Sequence, residues 1–516
     1  TDLKADTLHQ ISQAVDANKL IESTGAAPQT IFTFTGSNFD KHAEDDFVDF
    51  YYERNIPQML SHQGPKAATG DVNSDGLTDI FICGAAGQAG QLYLQTVSGG
   101  FVKKDEKDFD RFAEFEETNA LFFDCDKDGD MDLFIGSGGN NTMPSARELQ
   151  HRLYKNDGHG NFTIDVAAFP ANADNSSVVA NCDFDNDGDN DLFVGSLSVP
   201  QLYGVTPKSH IYINDGKGHY SDLPQDKLNG LDSVGMVTSA TWADMNGDGQ
   251  NDLVVTGKWM STRIYIYKNG RFEELKSNLN SLFGMWGGLA VTDLNGDGKN
   301  DIVLGNLGQN FYLYPTKENP VKIWINDFDG NGFTDKILTS YQQGKDMPVF
   351  LKHDMEEQIP SLKKKNLKHE DYAKRSIQDL FPQDILSKSF QKQINYTSSC
   401  VAVNNGKGDF VVKQLPSEVQ FSCVSAVLCK DVNNDGFVDI VMAGNDFDFA
   451  PQLQRLDASY GNVLLNDGKG NFVSKSQQQS GLNIKGMVKD IQQLSVAGKN
   501  YLLFLRNNDK PVMMRY

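Results

Sequence analysis

At 516 residues, with 39% hydrophobic and 10% aromatic residues, the chain has the apolar content of a folded protein and room for several domains or one large repeat architecture. Its formal net charge of −22 argues against nucleic acid or an anionic membrane as the main partner. No apolar stretch approaches the ~20 residues that span a bilayer, and the six cysteines show neither CxxC spacing nor a zinc pattern, so buried free thiols are the default.

Residues 1–27, opening TDLKADTLHQISQAVDANKL, are polar and read as a helical or linker segment. The chain begins with Thr1, so we expect a processed form whose signal peptide or lipid anchor lies in a segment outside it. TIFTFTG from Thr30 is strand-like. From Asp71 a nine-residue pattern then recurs seven times: DVNSDGLTD, DCDKDGDMD from Asp124, DFDNDGDND from Asp183, DMNGDGQND from Asp244, DLNGDGKND from Asp293, DFDGNGFTD from Asp327 and DVNNDGFVD from Asp431. Each has Asp first, Asp or Asn third and fifth, Gly sixth and Asp ninth. That spacing suits calcium, a hard cation that takes six to eight oxygens: the side chains converge as the loop curls, the seventh residue offers its carbonyl, and glycine permits the turn.

The candidate ligands are Asp71, Asn73, Asp75 and Asp79 in the first loop, then Asp124, Asp126, Asp128 and Asp132, then Asp183, Asp185, Asp187 and Asp191. The fourth loop offers Asp244, Asn246, Asp248 and Asp252, and the fifth Asp293, Asn295, Asp297 and Asp301. The last two offer Asp327, Asp329, Asn331 and Asp335, and Asp431, Asn433, Asp435 and Asp439. About seven Ca²⁺ would offset fourteen of the twenty-two net negative charges, so the acidity is largely a metal requirement. An EF-hand fails as the rival because position twelve, which needs a bidentate Glu, is Ile82, Ile135, Val194, Val255, Leu304, Leu338 and Met442.

A strand-length apolar run follows each loop (IFICG, LFIGS, LFVGS, LVVTG, IVLGN, KILTS, IVMAG), with Lys336 the one charged intruder. Another strand precedes each loop. Hairpins with NDGxG turns, such as HIYINDGKGHY and VLLNDGKGNF, supply two more. Four antiparallel strands per repeat, stacked around an axis, make an all-β fold, a β-propeller. The tail after the seventh unit has three strands and TIFTFTG could supply its fourth, so eight blades are favoured, seven with calcium loops and one closed by both termini; seven blades is the alternative. The sixth repeat is longer than the rest, and residues 341–395 read as a lysine-rich helical insertion, either a brace or a docking cap. Residues 28–516 are thus one propeller domain carrying that insertion.

These motifs resemble the FG-GAP/VCBS repeat family, the calcium-loop propellers that include integrin α-subunit heads and cartilage acidic protein. Stretches such as GMWGGLAVTDLNGDGKNDIVLGNLGQN, SLKKKNLKHEDYA and RLDASYGNVLLNDGKGNF are similar to the C-terminal propeller of Bacteroidota VCBS-repeat proteins that also carry an ASPIC/UnbV domain, a segment absent here. The resemblance implies an exported protein, often a surface lipoprotein of the outer membrane, used for binding or assembly and sometimes associated with nutrient-uptake machinery.

No HExxH, GxSxG, P-loop or Rossmann pattern is present. The expected function is therefore a non-enzymatic, calcium-stabilised binding or assembly module at the cell surface, with protein partners, among them an outer-membrane transporter complex, or a glycan. A polysaccharide-binding lectin or a polysaccharide lyase on a calcium propeller is the alternative. Trp259 and Trp286, beside glycines at element ends, are the candidate ligand platform with Asn306 and Asn310, weighed against wedging between blades; Trp242 and Trp324 read as core.

Overall fold

The computed structural model describes residues 30–516, so the helical reading of residues 1–27 lies outside the described residues. The fold is all-β, a propeller with eight antiparallel sheets of four strands each, one of which takes a fifth short strand, Phe283–Met285, on Asp252–Ser261. Their number and kind are those expected: seven are built on an aspartate motif, and one pairs Thr33–Thr35 with Val512–Arg515 at the other end of the chain, Thr33 opposite Arg515.

Seven of these sheets form the ring. Their first strands touch in succession from Ala67–Gly70 through Glu116–Phe123, Asn175–Cys182, Met236–Ala243, Leu289–Thr292 and Val424–Lys430 to Val488–Val496, which returns to Ala67–Gly70. We number these blades 1 to 7. The count around the axis is thus the alternative closure rather than the favoured eight, because the sheet of the sixth motif stands outside the ring. Its first strand, Val321–Asn326, is covered on its far edge by Phe390–Ile394, so it presents no free edge to the axis.

The apolar run after each loop is the second strand of its sheet. In blade 3 the whole of Asp191–Ser198 is buried, because neighbouring blades cover both of its faces. Each Leu, Phe or Val side chain there contributes roughly 1.5–3 kcal/mol by leaving water, which is why large apolar residues fill these positions. On the axis, five first strands carry an irregularity, skipping Thr118, Ser177, Thr238, Ser425 and Lys489 in the pairing register. Those five residues, with Lys66 and Gly287, line a small axial cavity, one from each blade.

Blade 5 is interrupted between its second strand, Asp301–Leu304, and its third, Cys400–Asn404. The excursion carries the eighth sheet and five short helices between residues 352 and 386. It leaves at the end of the second strand remote from the aspartate loops. There it packs with the segment around Ile56 and Leu60 into one core with Tyr203, Trp259, Trp324, Met355 and Phe449. Lys336, the intruder in the apolar runs, is buried here, with Nζ 2.7 Å from Glu53 Oε1. Among the described residues no helix is long and apolar enough to cross a membrane, and all six cysteines are free.

Candidate metal loops and a basic pocket

In the third loop, Asp183 accepts the backbone N–H of Asp187 (3.1 Å) and Gly188 (3.0 Å) on its two oxygens, and Asp187 Oδ1 accepts from Asp189 N (3.0 Å). The other six first-position aspartates accept the sixth-position N–H in the same way. Two residues per loop hold positive φ. The sixth is the glycine read from the sequence, and the fourth is Ser74, Lys127, Asn186, Gly247, Gly296, Gly330 or Asn434. The sequence signal for that fourth position is its enrichment in Gly and Asn, the residues that enter this conformation most readily.

The ninth aspartate ties the loop to the sheet. Asp132 accepts Cys125 N (3.0 Å) on one oxygen and Asn156 N (2.9 Å) on the other, and Asp79, Asp301 and Asp439 do the equivalent. In Asp191 and Asp252 only one oxygen is so occupied, leaving Asp191 Oδ2 and Asp252 Oδ1 buried without a partner. Asp126 Oδ1 and Asp329 Oδ1 are orphaned likewise. Ligand atoms of Asp124, Asp126 and Asp128 lie within 4.8 Å of one another, as do those of Asp183, Asp185 and Asp187, and of Asp327, Asp329 and Asp335. Burial, and then the neighbouring carboxylates, push Asp191 up to about 8 and Asp79, Asp252 and Asp335 up to about 6.

Orphaned buried oxygens in all-oxygen clusters fit a hard divalent cation, so several of these acidic loops can hold a metal ion. The fit is uneven. Lys155 Nζ lies 2.7 Å from Asp126 Oδ2, and Asn246 and Asn433 turn their amide N–H toward Asp248 and Asp435.

Sequence reasoning missed the asparagine that opens each NDGxG turn. Asn214 Nδ2 donates to Cys125 O in the loop of the preceding blade (2.8 Å) and to Asn190 O in its own (3.2 Å). Its Oδ1 accepts from Gly216 and Gly218. Asn156, Asn404 and Asn466 latch to Val72 O, Met245 O and Leu294 O in the same way, and Gln95 closes the ring by donating to Ser495 O. The asparagine was read only as a turn residue, because its cross-blade partner is remote in sequence.

Two members of the candidate platform offer nothing to solvent. Trp286 is 1% exposed, with Nε1 donating to Met260 O (3.0 Å). Asn306 is fully buried, accepting from Met285 N and Leu307 N and donating to Tyr396 O. Both serve the junction between blades 4 and 5, where packing demand exceeds exposure. Asn310 is exposed and donates to Phe421 O. Trp259, 4% exposed and at φ +58°, donates to Tyr203 Oη (2.8 Å). It also forms one wall of a cavity of about 590 Å³ between blade 4 and the inserted sheet. The charged residues lining that cavity are Arg263, Lys322 and Lys392, all basic. Lys392 Nζ donates to Thr206 Oγ1 (2.9 Å), and burial, reinforced by Arg263, pulls its ammonium down to about 8.

The fold and its loops define a β-propeller of aspartate-loop repeats. The FG-GAP-like repeat matches four successive, overlapping stretches, residues 71–135, 124–194, 183–255 and 244–304, so the chain carries FG-GAP-like repeats and they support placing it with the FG-GAP propellers. No curated protein matches the sequence. Among solved structures, an Agrocybe aegerita lectin that recognises non-reducing terminal N-acetylglucosamine is 15% identical, with a TM-score of 0.41 over 91% of this chain and 90% of that one. The V. cholerae biofilm matrix protein Bap1 is 13% identical, with a TM-score of 0.37 over 94% of this chain and 91% of that one. The extracellular domain of a B. thetaiotaomicron putative hybrid two-component system is 12% identical at a TM-score of 0.40, and the match covers 93% of this chain and 40% of that one.

Proposed function

We propose that the chain is a calcium-stabilised, non-catalytic binding module that works outside the cell or on its surface. The observation that carries the metal half is the set of buried carboxylate oxygens left without partners inside all-oxygen loops, chemistry that Ca²⁺ satisfies. The FG-GAP-like repeats support the surface setting, and the motif resemblance to surface lipoproteins supports an accessory role beside an outer-membrane uptake complex. The concave basic cavity supports a small-molecule or glycan ligand, the lectin reading, over a purely structural part. The test is calorimetric titration of the chelator-stripped protein with Ca²⁺, read beside protease shaving of intact cells. Several calcium-binding events and loss of the protein on shaving are expected; an absence of calcium heat refutes the metal half.

A further inference from the structure

We propose that the cavity between blade 4 and the inserted sheet binds a carboxylate-bearing sugar, a uronic acid unit of an acidic saccharide. This rests on the reading of the chain as a binding module and names its ligand class.

The first ground is charge. In a chain of net charge −22, a cavity whose charged lining is one arginine and two lysines is a local inversion of sign. Lys322 is neutralised by Asp346 at 2.9 Å, which leaves Arg263 and Lys392 for a ligand. Arg263 Nε is buried beside Glu274 Oε1 at 3.8 Å, too long for a hydrogen bond, while the arginine side chain as a whole stays 33% exposed. Lys392 uses one of its three donors, on the Thr206 hydroxyl. A guanidinium fork and an ammonium on facing walls, one from blade 4 and one from the inserted sheet, suit a planar carboxylate.

The second ground is the rest of the lining. Phe390 is 49% exposed at the rim and Phe283 and Trp259 lie deeper, giving apolar faces against which the C–H face of a pyranose packs. Gln391, Gln393 and Ser233 add amide and hydroxyl groups of both hydrogen-bonding senses. A bare inorganic anion would leave these unused. The volume, about 590 Å³, falls within the ~300–1,000 Å³ typical of small-ligand sites. The sequence provides this pocket only because blade 5 is interrupted, so the insertion has a use beyond bracing.

The test uses the calcium-saturated chain and purified di- and trigalacturonate, with the neutral galactose oligomers and inorganic phosphate as separate arms of one calorimetric series. Binding of the uronates and not of the neutral oligomers is expected. Lys392→Met and Arg263→Gln should each weaken uronate binding by about tenfold or more, the loss of one charge-assisted hydrogen bond. The melting temperature and calcium uptake of both variants should stay near wild type, and Phe390→Ala, at the exposed rim, tests stacking without disturbing the core. The groups facing Lys392 are Arg263, the paired Lys322, Thr206 and Phe390. With burial and then Arg263 pulling the Lys392 ammonium down to about 8, affinity should fall as pH rises from 7 to 9 in wild type and stay flat in Lys392→Met. Equal binding of neutral oligomers, phosphate binding as tight as uronate binding, or uronate affinity unchanged in both charge variants overturns the proposal. Any of these leaves the calcium-stabilised propeller standing, because calcium binding is read separately on the same samples.

Discussion

At the scale of single residues, two side chains hold the repeats in register: the ninth aspartate, which collects backbone N–H groups from its own sheet, and, in blades 2, 3, 5 and 6, the asparagine latch, which reaches the loop of the preceding blade. Asn214→Ala removes two donated bonds and strands buried carbonyls, so it should cost about 1–3 kcal/mol in urea unfolding. An exposed asparagine such as Asn310 should be near neutral to alanine. Lys336 makes the same point from the other side. The sequence marks it as an intruder in an apolar run, and the structure supplies the reason, since Glu53 is buried beside it and also accepts Tyr203 N and Asn140 Nδ2. Lys336→Met leaves that carboxylate uncompensated and should destabilise by about 3–5 kcal/mol, with Glu53→Gln on the same chain restoring much of the loss. The intruder was legible in the sequence. Its partner was not, because Glu53 lies 283 residues away and no local pattern encodes so distant a pairing.

At the scale of elements, the loop and the strand after it act as one unit. The nine-residue spacing, the glycine turn and the strand type were readable because they are local consequences of backbone conformation and burial. Asp183→Ala removes a side chain that holds two loop N–H groups and belongs to a three-aspartate cluster. It should reduce calcium stoichiometry by one and raise amide exchange in blade 3 while leaving the remote blades protected, as hydrogen-exchange mass spectrometry would show. The insertion was legible as an excess of residues with a helical rhythm, and its inner strands were not. Its helical rhythm shows in LKKK and HEDY, whereas Phe390–Ile394 reads as polar (FQKQI) and becomes a strand because Val321–Asn326 offers it an edge. Tertiary pairing overrode local preference there.

At the scale of the whole molecule, ring closure depends on contacts that no single repeat specifies. Motif counting leads to eight sheets, and so it proves. It cannot tell that one of them leaves the ring: Lys336 and the added length mark the sixth repeat as irregular, but the aspartate loop has the same local chemistry as the others and the strand that covers its first strand lies far along the chain. Every blade of the ring reaches the axial cavity, and the latches run between neighbouring blades, so the loops sit where a bound cation would brace both its own sheet and the latch of the next. Calcium binding to the folded chain alone stabilises it by mass action, about 2.7 kcal/mol for each site at a hundredfold excess over Kd. The most direct measurement is therefore differential scanning calorimetry of the chain with 1 mM Ca²⁺ and with excess EDTA at the same pH and ionic strength. The account predicts that the melting temperature falls by well over about five degrees in EDTA and returns when calcium is restored. Coincident melting curves in the two buffers would contradict it.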